Sequence, residues 1–250
     1  MSRYRICAII AIVLCAVAIA SGKPVLCWLI VGAFSVLVGL GVVFPHLRFF
    51  GPFICQGNPA RREVALTFDD GPDGRSTPAL LDLLKSENIL ATFFCIGKRV
   101  AAQRELTGRL AREGHLLGNH TYHHSNLTNC FGPKRLREEL QLTQAAIAAA
   151  TGSAPAYFRP PMGLSNPFTF FIARKLGLQV LGWTIRSLDT RITEPERVVQ
   201  RVTERLTPGA IILLHDGNIP AERLLPTVKL LLAKLREQNY TVVRLDKLME

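Results

Sequence analysis

From residue 64 onward, short apolar runs alternate with amphipathic stretches, and this alternation limits the fold more than any other feature of the chain. The apolar runs cover 64–68, 91–96, 116–118, 156–158, 178–184, 210–214 and 240–243, all of strand length. Helical periodicity fills the intervals at 78–86, 100–113, 133–151, 168–176, 195–205 and 224–238. The punctuation agrees: Pro78 follows Thr77, Pro133 opens a helix, and Gly114, Gly152 and Gly177 follow helix ends. Thr193 and Glu196 have capping-box spacing for the helix over 195–205. Strands joined by helices form parallel sheets, and seven alternations in roughly 190 residues favour an α/β barrel over an open sheet.

In a barrel of this kind, reactive groups gather where strands end. The run 64–68 leads directly into Asp69, Asp70 and Gly71. Two adjacent carboxylates repel, so a fold that keeps both ionised needs a cation beside at least one of them. The run 116–118 is followed by His120-Thr121-Tyr122-His123-His124. His120 and His124 stand four apart, which puts both rings on one side of a helical turn, and two imidazoles with one carboxylate suit Zn²⁺ with an open position. Singly, Asp-Asp-Gly reads as a turn and the histidine pair as incidental; in this order they read as a site.

Together the two runs resemble the first two motifs of the polysaccharide deacetylases with a NodB-homology domain, carbohydrate esterase family 4, which read T-F-D-D-G and H-[ST]-x-x-H. The resemblance extends from Arg62 to the C-terminus and implies a distorted (β/α) barrel with fewer than eight regular repeats. Arg159-Pro160-Pro161-Met162-Gly163 is similar to the third motif, R-P-P-Y-G, which implies that Arg159 holds Asp69 and that a backbone N–H at Met162 helps bind the oxyanion. Met162 replaces a tyrosine, so a phenolic contact to substrate is lost. The stretch ending Arg186-Ser187-Leu188-Asp189-Thr190 resembles D-x-x-D-W, with Asp189 kept to orient a histidine. Thr190 stands for the tryptophan and reshapes a wall of the acyl pocket. Arg186 stands for the first aspartate and is either a cation at the mouth or a solvated surface residue. Leu213-Leu214-His215 matches L-x-H, implying an apolar wall from Leu213 and a general acid in His215.

The implied site therefore has Asp70, His120 and His124 as ligands of a divalent metal, Zn²⁺ first and Co²⁺ or another ion next. Asp69 is the base, Arg159 and Asp189 are its and His215's partners, and Met162, Leu213, Thr190 and Arg186 line the substrate. The implied reaction is removal of N-acetyl groups from a polysaccharide, peptidoglycan or lipid-linked glycan. The alternative is a catalytically impaired carbohydrate-binding pseudoenzyme of the same fold. His46, His115, His123 and Asp216 are read as structural or surface residues.

The chain has 250 residues, 48% of them hydrophobic, and the surplus lies at the front. Apolar runs at 6–20 and 25–44 are separated by Ser21-Gly22-Lys23-Pro24. They predict transmembrane helices over 6–22 and 25–44 in a membrane region 1–48, then a linker 49–61 and a deacetylase domain 62–250. The first run, ending in Ala18-Ile19-Ala20, also fits a signal peptide. Arg3 and Arg5 precede the pair, Arg48, Arg61 and Arg62 follow it, and only Lys23 lies between. The positive-inside rule then places both ends, and the catalytic domain, in the cytoplasm, whereas the family usually works outside the membrane. Cys7, Cys15 and Cys27 lie in the apolar runs, and Cys55, Cys95 and Cys130 are too widely spaced for a disulfide framework. The formal charge of +11 comes without an aromatic stacking signature, which points to an anionic membrane surface or glycan and away from nucleic acid.

Overall fold

A computed structural model describes residues 1–44 and 47–250; His46 lies outside the described residues. The strands are β1 (Glu63–Asp69), β2 (Thr92–Cys95), β3 (Leu116–Asn119), β4 (Tyr157–Phe158), β5 (Gln179–Val180), β6 (Ile185–Arg186), β7 (Ala210–His215) and β8 (Thr241–Val242). The helices are α1 (Arg3–Ala20), α2 (Leu26–Val43), α3 (Thr77–Ser86), α4 (Gly97–Ala102), α5 (Arg104–Arg112), α6 (Pro133–Thr151), α7 (Thr169–Lys175), α8 (Pro195–Thr203), α9 (Ala221–Glu237) and α10 (Leu245–Leu248). The strands pair in the order β5-β4-β3-β2-β1-β7-β6, with β8 also on β1, and every strand pairing is parallel. The result is a curled α/β half-barrel, the distorted barrel that the sequence resemblance implies.

The two-residue period of β1 assigns its faces. Val64, Leu66 and Phe68 join the main core under the helices, where Phe68 stacks on Phe93 at 5.1 Å. Ala65 packs with Phe94, Leu181 and Ile211 in a separate interior cluster, so Thr67 and Asp69 share that inner face. Each fully buried Phe or Leu contributes roughly 1.5–3 kcal/mol, which fixes the register and with it the aim of Asp69.

Three details depart from the sequence pattern. The helix expected over 100–113 is two helices, broken at Gln103 (φ −130°, ψ 52°), whose side chain leaves the helix line to donate to Pro72 O at 3.1 Å. The strand expected over 178–184 splits into β5 and β6. Between them Leu181 bridges to Ile54, and Gly182 has no room for a side chain beside Cys55 and Phe53. Residues 53–56 thus enter the fold, with Phe53 buried beside Phe158 and Ile172. Finally, the N-cap position of α8 is Glu194 rather than Thr193 and no side chain caps the helix, so the capping box does not form.

Helices α1 and α2 have mean hydropathies of 2.1 and 2.5 over 18 residues each, roughly 27 Å of helix, long and apolar enough to cross a membrane. Composition alone allows a membrane anchor or a signal sequence. The start of α1 forms an aromatic knot with the middle of α2 and the segment after it: Tyr4 packs on Phe34, Phe49 and Phe50, and its N–H donates to Phe49 O at 2.9 Å. All six cysteines are free thiols.

Candidate active site

The parallel strands β1, β3 and β7 deliver the acidic and histidine motifs to one mouth. Asp69 is the last residue of β1, and Asp70 follows with φ 73°, which turns the chain out of the strand. Asp70 Oδ1 lies 3.5 Å from His120 Nε2 and 3.1 Å from His124 Nε2. The three ligand atoms lie within 4.8 Å of one another. The predicted helical turn is absent: residues 120–124 form a loop in which Thr121 and His124 take left-handed φ of 63° and 52°. Side chains impose that shape. Asn119 Oδ1 accepts from Thr121 N–H at 2.9 Å, and Thr121 Oγ1 accepts from His124 N–H at 3.2 Å. Buried Glu139 of α6 accepts from the N–H groups of Tyr122 and His123, both at 2.9 Å, while its other oxygen meets His123 Nδ1 at 2.8 Å. His123 is therefore a structural residue turned away from the ligands.

These residues fit a divalent cation. His120 Nδ1 lies 2.7 Å from Arg159 O, which can only accept, so that nitrogen carries the proton and Nε2 presents a lone pair to the mouth. Asp70 Oδ1 is buried without a hydrogen-bond donor. An anionic oxygen and two imidazole nitrogens that converge within 4.8 Å make a place for positive charge. Burial pushes the Asp70 carboxyl up, but His120, His124 and His215 outweigh it and hold the group well below the usual carboxylate range. Burial likewise pulls His120 down, and Asp69 and Asp70 bring it above the ordinary imidazole value. His124, opposed by burial and by His120, is lowered.

Arg159 is fully buried and immobilised on three sides. It donates to Asp69 Oδ1 at 2.7 Å, Thr67 Oγ1 at 2.8 Å and Gly182 O at 2.8 Å, with its guanidinium 4.1 Å from the Phe94 ring centroid. Asp69 Oδ1 is thereby occupied, and Oδ2 faces the ligands, 3.7 Å from His120 Nε2. Removing one member of such a buried pair leaves an uncompensated charge and costs about 3–5 kcal/mol.

On the far side of β1, His215 ends β7 in register with Asp69. Its Nδ1 meets Asp189 Oδ1 at 2.8 Å, and its backbone N–H donates to Asp189 Oδ2 at 2.8 Å. Ser187 Oγ donates to Asp189 Oδ1 at 2.9 Å, and Leu188 takes φ 62° so that the carboxylate can turn inward. Burial would push the imidazole down, yet Asp189, helped by Asp69 and Asp70, raises it to about 9.

The remaining expected residues sit at or beside the mouth. Leu213, two residues before His215, is buried on the same strand face. Met162 is exposed at φ 56° in a tight turn, and the following Gly163 has no room for a Cβ beside the Trp183 ring. Arg186 is exposed at the end of β6, 6.0 Å from the Trp183 ring, and Thr190 is exposed in the turn after Asp189. His115 and Asp216 are buried. His115 Nδ1 accepts from Ala91 N–H at 3.1 Å, and Asp216 accepts from Thr77 Oγ1 at 2.6 Å. Burial raises Asp216 to about 7 despite that bond, with Asp70 adding repulsion, and its carboxyl fills the space that a side chain at Gly71 would need. Sequence reasoning missed Glu139, Ser187 and Thr67. A glutamate at an apolar helix position was the signal for the first; the other two carried none.

The profile of the family described as polysaccharide deacetylase matches residues 56–181. The chain is 35% identical over 187 residues to the peptidoglycan-N-acetylglucosamine deacetylase PgdA of Listeria monocytogenes, covering 75% of this chain and 39% of that protein. It thus spans about two fifths of that relative's length. It is 40% identical over 162 residues to the chitooligosaccharide deacetylase of a Bradyrhizobium strain, covering 64% of this chain and 74% of the relative. Among solved structures, a family 4 carbohydrate esterase pseudoenzyme from Bacillus anthracis superposes with a TM-score of 0.74 at 29% identity, over 80% of this chain and 69% of that one. With the profile covering half of the sequence and a relative matched over most of its own length, this chain belongs to the polysaccharide deacetylase family.

Proposed function

We propose that the protein is a metal-dependent N-deacetylase of an N-acetylated glycan presented at a membrane. The observation that carries this reading is the convergence of the Asp70, His120 and His124 ligand atoms with two separately held groups, Asp69 on Arg159 and His215 on Asp189. A divalent cation held by the three ligands would polarise the amide carbonyl and lower the pKa of a water towards about 7. Asp69 takes the proton of the attacking water through Oδ2, because Arg159 holds Oδ1. His215 donates Nδ1–H to Asp189, and as an imidazolium it also carries the Nε2 proton that passes to the departing amine. Its raised pKa keeps that proton available at neutral pH. The backbone N–H of Met162 supports the oxyanion, Leu213 walls the acyl pocket, and Thr190 leaves that pocket wider than a tryptophan would. Exposed Arg186 suits an anionic group on the substrate. The products are an amino sugar and acetate.

The relatives are named for peptidoglycan and chitooligosaccharide, which favours a β-linked N-acetylglucosamine unit. The arginines flanking the helical pair favour a cytoplasmic site and a lipid-linked sugar; a cleaved or non-spanning first helix would favour an exported glycan. A pseudoenzyme of the same fold is the second reading, favoured by Thr190 and Arg186 and by the likeness to the Bacillus anthracis protein, since fold does not carry activity. Metal content and acetate release decide. Asp69→Asn should keep the metal and lose turnover on N-acetylglucosamine oligomers, and His120→Ala should lose both. A wild-type protein that holds metal and releases no acetate from any such glycan supports the pseudoenzyme.

A further inference from the structure

Helix α7 divides its residues in an uncommon way for a surface helix. Thr169, Ile172 and Ala173 are buried, and Phe170 is wedged against Gly51, where no Cβ fits, and against Phe53 at 5.3 Å. The outward stripe carries Phe168 at the N-cap (41% exposed), then Phe171 (37% exposed), Arg174 and Lys175. Positions 168, 171 and 175 lie on one side of a helix, and Lys175 Nζ rests 4.4 Å from the Phe171 ring centroid. A water-facing stripe would carry polar groups. Two phenyl rings backed by cations have the composition of an interfacial helix, rings in the boundary of headgroup and acyl chain, ammonium and guanidinium on phosphate.

The surroundings say which partner fits. Phe50, next to Gly51, is buried with its ring 5.5 Å from Tyr4 of α1, so α7 connects through Gly51 and Phe50 to the aromatic knot at the open end of the helical hairpin. Arg3, Arg5 and Arg48 flank the same end. If the hairpin spans, this is the height at which aromatic and basic residues meet headgroups. In the other direction, α7 continues from the mouth. The turn of Met162 leads to Asn166, which donates to Asn129 O and Phe131 O and receives the N–H groups of Phe168 and Thr169.

We propose that α7 is an interfacial foot: its Phe168, Phe171, Arg174 and Lys175 stripe rests on an anionic lipid surface and holds the catalytic mouth at headgroup height. The preferred substrate is then a sugar held at the membrane. This rests on the reading that α1 and α2 lie in a bilayer.

The test uses the full chain in phosphatidylcholine vesicles with and without phosphatidylglycerol, the acyl chains brominated to quench indole fluorescence. Trp28 in α2 reports on the hairpin. In a Trp28→Phe background, Phe171→Trp adds an indole to the stripe, with Trp183 in both samples as baseline. The added indole should lose roughly half of its emission, because interfacial faces sink about 5–10 Å into the boundary, and lose more when phosphatidylglycerol is present. Adding Arg174→Glu and Lys175→Glu should remove the dependence on phosphatidylglycerol. Quenching of wild-type Trp28 with full emission from the added indole overturns the foot and leaves the hairpin in the bilayer. Unquenched Trp28 overturns both.

Discussion

At the scale of single residues, the site divides into groups that act and groups that aim them. His215→Ala should lower turnover by roughly 10²–10⁴ if His215 protonates the amine. Asp189→Asn should act through the same step, so the double variant should be little worse than His215→Ala; losses that multiply would separate the two roles. A second residue-scale expectation concerns stability. Burial lowers His115 to about 4, below its ordinary value near 6.5, so the unfolded chain takes up the proton first. Its contribution is whole above pH 6.5 and is lost as the pH falls towards 4, to the extent of roughly 3 kcal/mol. Urea unfolding of wild type and His115→Asn at pH 7 and pH 4.5 checks this: the variant should be the less sensitive of the two to acid.

Elements act by fixing loops that have no regular structure of their own. The loop between β3 and α6 holds two candidate ligands, and Glu139 clamps it from α6 through two N–H groups and His123. Glu139→Ala should weaken metal binding about 10–100-fold, the usual loss for a group that orients ligands, with turnover largely recovered at saturating metal. Calorimetric metal titration beside acetate release tests it, and an unchanged affinity would assign the clamp to stability alone. On the opposite loop, Gly163→Ala places a Cβ against the Trp183 ring at a φ of 71°. Overpacking of this kind costs roughly 1–3 kcal/mol, which a fall in the thermal midpoint should show.

Over the whole molecule, the α/β fold and the apolar hairpin meet at Phe49, Phe50 and Gly51, so under the proposed function sidedness would decide which glycan the mouth can reach. Arginines at both flanks of the hairpin predict a cytoplasmic domain. Reporters fused after Glu250, one active only outside the membrane and one only inside, should give signal from the inside reporter. Signal from the outside reporter alone would reject a lipid-linked precursor and restore an exported glycan.

The sequence by itself determined the alternation of strands and helices, the acidic and histidine runs at strand ends, and the apolar pair at the front. Each is a local periodicity or a short contiguous motif, and such signals survive without knowledge of the fold. Tertiary structure decided the rest. Whether the stretch 178–184 is one strand or two depends on Ile54 and Gly182, far apart in sequence. The loop shape at His120 to His124 depends on Glu139, a partner supplied by the next helix. Arg159 finds Asp69, Thr67 and Gly182 only because the curled sheet turns the inner faces of its strands toward one another. A strand's period fixes which face a residue takes, but only the closure of the sheet fixes what it meets there.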